Sequence, residues 1–177
     1  MREVADEDLM LAYQGGDARA FETLYRRHRS RLFRFVLRNL KHRAAAEELY
    51  QEAWMRVIEA RSRYAVQARF TTWLYTIAHN LMVDHWRRAG LALVPLDEES
   101  VAACTPDTLR HVEGRAALAR FAAALEGLPA AQREAFLLHE EAGLSVAEIA
   151  AVTGAGEETA KSRLRYALAK LKAAADG

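Results

Sequence analysis

FTTWLYTIAHNLMVDHWRR, residues 70–88, decides between a helical chain and a sheet-based one. No alternation of apolar and polar residues runs through it. Placed 100° apart, Phe70, Leu74, Ile77 and Leu81 fall on one stripe, as an amphipathic helix requires. That stripe is the expected core face. Asp84 stands close to it and Arg88 lies one turn on, which predicts a partly buried i, i+4 ion pair. Beside the core face runs a second stripe: Thr72, Thr76, Asn80, Val83 and Arg87, with Trp73 at the border, where it can pack inward or stack. Hydroxyls, an amide and a guanidinium in register can hydrogen-bond base edges and phosphates. Such mixtures suit single-stranded nucleic acid, whose bases can leave the stack.

The remainder of the chain favours the helical reading. Of 177 residues, 51% are hydrophobic and only three are proline, and runs of alternating Val, Ile or Thr are missing. The expected class is all-α, soluble and globular. Cys104, the single cysteine, excludes a disulfide framework and cannot make a zinc site alone, so a reducing cytoplasm is the expected compartment. No apolar run approaches the roughly 18 residues of a membrane span, and the acidic start is no signal peptide. No membrane insertion is expected.

The formal net charge of +1 conceals an uneven distribution. Residues 1–90 hold 16 basic and 11 acidic side chains, net +5; residues 91–126 hold 3 and 6, net −3; residues 127–177 hold 6 and 7, net −1. The excess is densest in RRHRSRLFRFVLRNLKHR, residues 26–43, with eight Lys or Arg and no acid. Arg27, Arg31, Arg34, Arg38 and Lys41 form one stripe, with Phe21, Leu24, Leu32, Phe35 and Leu40 mostly on the other side. A stripe this free of acid is expected to face phosphates.

Local signals divide the chain. Asp6 is placed to cap a first short helix, and Asp17, after the GGD break, to cap the long basic one. A third helix, AAAEELYQEAWMRVIEARSRY, puts Leu49, Ala53 and Val57 inside and Glu48, Gln51, Glu52 and Arg56 outside. Periodicity fails after Arg88. AGLALVPLDEESVAACTP carries two of the three prolines and an acidic knot, and reads as a linker. Helical pattern resumes from Asp107, with Pro129 at a helix start. Two small helical domains are therefore expected, residues 1–90 and 108–177, joined by a flexible linker at 91–107.

The second domain ends in LSVAEIAAVTGAGEETAKSRL. Ser145 and Glu148 form a capping box, Ile149 points inward, and Gly154 permits a left-handed turn before a longer helix held by Ala160 and Leu164. This is a helix-turn-helix, whose second helix enters a major groove. Lys161, Ser162, Arg165 and Tyr166 project outward, with Arg163 at the flank. Glu157 and Glu158 suit the helix N-terminus and would repel a nearby phosphate.

No catalytic or metal-binding constellation converges. Asp84-His85 has the wrong order for a metal phosphohydrolase, and His139-Glu-Glu is not H-E-x-x-H. No enzyme activity, cofactor or metal is expected. A two-domain regulator of the LuxR kind shares the terminal helix-turn-helix, but its effector domain usually contains strands, which the first half here lacks.

Four stretches in order, GDARAFETLYRRH, AEELYQEAWMRV, FTTWLYTIAHNLMVDHWRR and LSVAEIAAVTG…TAKSRLRYAL, resemble those of bacterial extracytoplasmic-function (ECF) sigma factors of the sigma-70 family, from about Asp6 to Lys172. The resemblance implies a cytoplasmic, nucleoid-associated initiation factor, monomeric when free, that recruits RNA polymerase core to promoter DNA and is held by an anti-sigma factor. It assigns Glu48, Leu49, Gln51, Glu52 and Trp54 to docking on the largest core subunits, with Glu48 where Asp is usual and Trp54 where Phe is usual. It places the loop from Tyr64 through Arg69 to Phe70, and Asn80, at the site of minus-ten capture, to which the reading of the helix itself adds Thr72, Trp73, Thr76, Arg87 and Arg88. Minus-thirty-five reading falls to Thr159, Lys161, Ser162, Arg163, Arg165 and Tyr166; Ala160 replaces the family's usual β-branched residue, and Tyr166 stands where Arg is frequent.

Overall fold

The computed structural model describes residues 3–90 and 114–177, so the expected linker, Cys104 and the proposed boundary at 108 lie outside the described residues. The described residues form eight α-helices and no strand.

Helix α1 (Asp6–Gln14) starts without a side-chain cap. Asp6 is its first helical residue rather than its cap, because its carboxylate is taken by Arg27 Nη1 and His28 Nε2, each at 2.7 Å. Helix α2 (Ala18–Leu40) is capped as its sequence predicts, Asp17 accepting from the Arg19 N–H at 2.9 Å. It ends at Lys41, whose φ of 59° is left-handed. Helix α3 (Arg43–Ala60) starts under the His42 ring, which accepts from the Ala45 N–H. A 3-10 turn, Arg61–Arg63, leads toward α4 (Phe70–Arg88). Nothing local caps α4; Glu7 of α1 reaches across and accepts from the Phe70 N–H at 2.5 Å.

The buried side of α4 is wider than one stripe. Phe70, Leu74 and Leu81 are buried as expected, but Tyr75, Ala78, His79, Met82 and Trp86 are buried too, and Ile77 is only half-buried. The reason is packing on two flanks: α2 and α3 cover one, and α7 of the second half covers the other. A helix enclosed on two sides needs a broader apolar arc than a surface helix. Asp84 lies off this arc and pairs with Arg87 at 3.6 Å, not with Arg88.

In the second half, α5 (Arg115–Gly127) and α6 (Ala130–Glu140) pack on α8 (Glu157–Asp176), with α7 (Val146–Thr153) across them. Leu137, Leu138, Leu144, Ile149, Ala160, Ala167 and Leu171 form the core. The capping box is complete, Ser145 Oγ accepting from the Glu148 N–H at 3.2 Å and Glu148 accepting from the Ser145 N–H at 2.8 Å. Gly154 has φ 70°, the left-handed turn that separates α7 from α8 and that a side chain would strain.

Candidate polymerase and nucleic-acid interfaces

On α3 the five expected docking residues divide by exposure. Glu48, Gln51 and Glu52 are exposed, whereas Leu49 and Trp54 are buried. Trp54 packs edge-on against Phe21 (6.0 Å) and Tyr25 (5.0 Å), so it backs the exposed face of α3 rather than forming it. Met55 and Ile58 are exposed apolar residues on the same helix that the sequence reading did not single out. Glu48 and Glu52 also face α4 across a groove of about 290 Å³ that Arg56, His85 and Arg88 help to line.

At the head of α4 lies a second groove, about 380 Å³, lined by Arg63, Tyr64, Gln67, Thr72, Trp73 and Thr76 among others. Its aromatic wall is built in layers. Phe70 is fully buried and sits 5.8 Å from Trp73, ring centre to ring centre; Tyr64 meets Trp73 edge-on at 5.0 Å. Phe70 is thus an anchor for the wall. Trp73 is half-buried, so it both packs inward and presents surface. Burial, and then the charges of Glu7 and Asp6, push the Tyr64 phenol up to about 12. Its hydroxyl is buried without a protein partner among the described residues.

The polar stripe of α4 is not uniformly open. Thr76 gives its hydroxyl to the Thr72 carbonyl at 2.7 Å, and Asn80, one turn on, is exposed. Arg87 and Arg88 are exposed. Thr72 is buried, its hydroxyl 3.4 Å from Glu148 of α7, and the same carboxylate takes Arg69 at 3.3 Å. The basic stripe of α2 is divided likewise. Arg27 is held by Asp6, and Arg34 and Arg38 by Glu141 of the second half. Lys41 donates to the Glu126 carbonyl. Arg31, Arg34, Arg38 and Lys41 are exposed, but three of these four already have a partner within the protein, so only part of the stripe is unengaged and able to face phosphates as expected.

On α8 the six expected DNA-reading residues are all accessible. Thr159, Lys161 and Arg165 are exposed, and Ser162, Arg163 and Tyr166 half-exposed. The Arg165 guanidinium lies over the Tyr166 ring at 5.3 Å. The inward side, Ala160, Leu164, Ala167 and Leu168, is buried.

The two halves match two protein-family models, Sigma-70 region 2 over residues 24–91 and Sigma-70, region 4 over residues 118–171. Together they define a sigma factor of the sigma-70 class, a transcription-initiation factor. The chain is 32% identical over 170 residues to the ECF RNA polymerase sigma factor SigM of Mycobacterium tuberculosis, spanning 96% of this chain and 84% of SigM. It is 33% identical over 166 residues to the RNA polymerase sigma factor CarQ of Myxococcus xanthus, spanning 92% and 93%. The chain belongs to the ECF RNA polymerase sigma factors. Its structure is similar to that of CnrH in complex with the cytosolic domain of CnrY, with TM-score 0.69, 27% identity and 98% of each chain covered. The fold is shared with the sigma factor RpoE of Bartonella quintana, solved with the anti-sigma factor NepR, at TM-score 0.67 and 24% identity. No helix among the described residues is long and apolar enough to cross a membrane.

Proposed function

We propose a division of labour along the chain: residues 1–90 bind polymerase core and the minus-ten element, residues 91–107 connect, and residues 108–177 bind the minus-thirty-five element. Glu48, Gln51 and Glu52 form the polar docking face on α3, backed by Leu49 and Trp54. Arg69, Trp73, Thr76 and Asn80 receive one unpaired strand along the α4 groove, with Tyr64 and Phe70 fixing its aromatic wall, and Arg87 and Arg88 lie further along the helix for backbone phosphates. Thr159, Lys161, Ser162, Arg163, Arg165 and Tyr166 enter a major groove. The chain acts by binding, without turnover of its own, in the nucleoid, and an anti-sigma factor holds it in reserve, as CnrY binds CnrH in the similar structure.

The observation that carries this reading is the α4 groove. A half-buried tryptophan, the ring of Tyr64 and a threonine line it, and an exposed amide lies one turn on. A base fits such a wall by stacking and edge contacts. The test adds the protein to sigma-free core polymerase and maps transcript starts. Starts clustered behind a shared upstream sequence are expected, and the Glu48→Lys/Glu52→Lys variant should lose core binding with helicity unchanged. Full core affinity in that variant would overturn the docking assignment.

A further inference from the structure

Resting on the reading of α8 as the duplex-binding helix, we propose that Glu158 selects a base: its carboxylate makes cytosine the required base at one position of the minus-thirty-five element. Glu158 stands where a reading side chain stands. With 100° between successive residues, Glu158, Lys161, Ser162 and Arg165 share an arc of about 100° on α8, on the side away from Ala160, Leu164, Ala167 and Leu171. Glu157 falls outside that arc, next to the buried side. Glu158 is exposed, and among the described residues no ion pair includes it, although Lys161 stands at the i, i+3 spacing. Both acids suit the positive end of the helix, an effect that depends on closeness to the first turn and not on the side faced. That effect accounts for an acid here. It does not account for one among the reading residues.

The start of α8 is also set against a phosphate. Its cap residue is Gly156, with no side-chain hydrogen bond to the first-turn N–H groups, and such an open helix start ordinarily attracts an anion. Two carboxylates beside those N–H groups repel one, so base edges rather than backbone are what Glu158 can meet. In the major groove a carboxylate can only accept. Guanine offers N7 and O6 and thymine offers O4, all acceptors, and adenine sets its N6 donor beside the N7 acceptor. Cytosine presents its N4 donor with no acceptor beside it on the same base. Selection therefore comes mainly from the wrong bases, which leave a desolvated charge unpaired. Arg165 supplies the opposite chemistry. Its guanidinium, laid over the Tyr166 ring at 5.3 Å, is a donor fork that fits guanine O6 and N7. It lies two turns beyond Glu158, about 10 Å along the helix, so the two contacts fall about three base pairs apart.

The test selects duplexes randomised over one helical turn, about 10 base pairs, with the full chain assembled on core RNA polymerase, and sequences those retained. Affinities are then measured for single-base variants of the selected duplex. The unsubstituted chain is expected to require cytosine at one position, with other bases there binding about tenfold more weakly, within the range of one base-edge contact. Glu158→Gln keeps the size of an exposed side chain, and its amide pairs with adenine N6 and N7, so the required base should change from cytosine to adenine at that position alone. Glu158→Ala should abolish the preference there and strengthen binding to the duplexes that lack the cytosine. Glu157→Ala should change the affinity of all sequences alike and leave the preference in place. The proposal is overturned if the unsubstituted chain requires no cytosine, or if the cytosine persists unchanged in Glu158→Gln. It is overturned as well if Glu158→Ala strengthens every duplex equally, since the carboxylate then does no more than repel phosphates. A selection that still depends on Lys161 and Arg165 but not on Glu158 would sink this proposal and leave the promoter reading standing. A selection that enriches no sequence would overturn both.

Discussion

Helices α4 and α8 are similar in length and each carries a polar stripe proposed to meet nucleic acid, yet they are built differently. On α8 the apolar side and the proposed reading side are separate: Leu164, Ala167 and Leu168 face the core, and none of the six residues proposed to read DNA is buried. On α4 the two functions overlap. Phe70 and Thr72 are buried, Trp73 and Thr76 are half-buried, and only Arg87, Arg88 and Asn80 on that helix are exposed outright. A helix packed on one side can spend its other face on a ligand. One enclosed from two sides must read with residues that also hold it in place. Substitutions on α4 should therefore mix stability with binding, and substitutions on α8 should separate them.

The largest expected effect is Phe70→Ala. Phe70 is fully buried and backs the Trp73 wall, so its loss removes a core side chain and loosens the groove together. Truncating a buried Phe typically costs about 3–5 kcal/mol. The midpoint of denaturant unfolding should fall accordingly, and single-strand binding should weaken even where the variant remains folded. An unchanged midpoint would break the claim that α4 reads with its core.

Next in size are Lys161→Ala and Arg165→Ala, which should leave unfolding midpoints unchanged. A lost base contact costs about 1–3 kcal/mol and relaxes preference at one position, while a lost phosphate contact weakens all sequences alike. Duplex binding across a set of single-base promoter variants separates the two outcomes. If either substitution lowers stability by as much as it lowers affinity, the contrast between the helices fails.

Asn80→Ala should be smaller, about 0.5–1.5 kcal/mol for one hydrogen bond. It should spare duplex binding by the second half and impair open-complex formation, and a pre-melted bubble should restore only the melting part of the defect. Normal initiation on duplex promoters would mean that the exposed amide is ordinary solvated surface.

How much of this was legible in the sequence follows the range of each interaction. The Ser145–Glu148 capping box spans three residues and could be read directly, as could Asp17 over Arg19 and the left-handed Gly154. The cap of α4 could not be read, because Glu7 lies 63 residues before Phe70. For the same reason the reading of Asp6 as a cap missed its capture by Arg27 and His28 on another helix. The α2 stripe was visible as a run of cations, but nothing local marks Glu141, 107 residues beyond Arg34, as the group that takes part of it. Periodicity reports that a face is apolar or charged. It does not report which distant element arrives there, and so the width of α4's buried arc and the burial of Thr72 stayed hidden.

The smallest expected effect tests that long-range anchoring by pH. Burial alone would raise the Asp6 carboxyl, but hydrogen bonds from His28 and Arg27 and the charges beside it outweigh burial and hold it below its ordinary value. A carboxyl lowered in the folded state contributes stability that is fully present above its unfolded value, about 4, and is lost as pH falls through the lower folded value. The contact is partly solvated, with Arg27 and Asp6 side chains 23% and 21% exposed, so its contribution should be about 1 kcal/mol or less. At pH 6 Asp6→Asn should lower the unfolding midpoint slightly; toward pH 3 the difference from the unsubstituted chain should shrink, because protonation removes from the native residue the charge that the substitution already lacks. Asp17→Asn serves as the comparison: its carboxylate makes one local, exposed hydrogen bond to the Arg19 N–H, which the amide oxygen can accept equally well, so its difference should stay near zero across the same range. A difference for Asp6→Asn that is flat with pH would show that the residue holds α1 to α2 by shape alone and not by its charge.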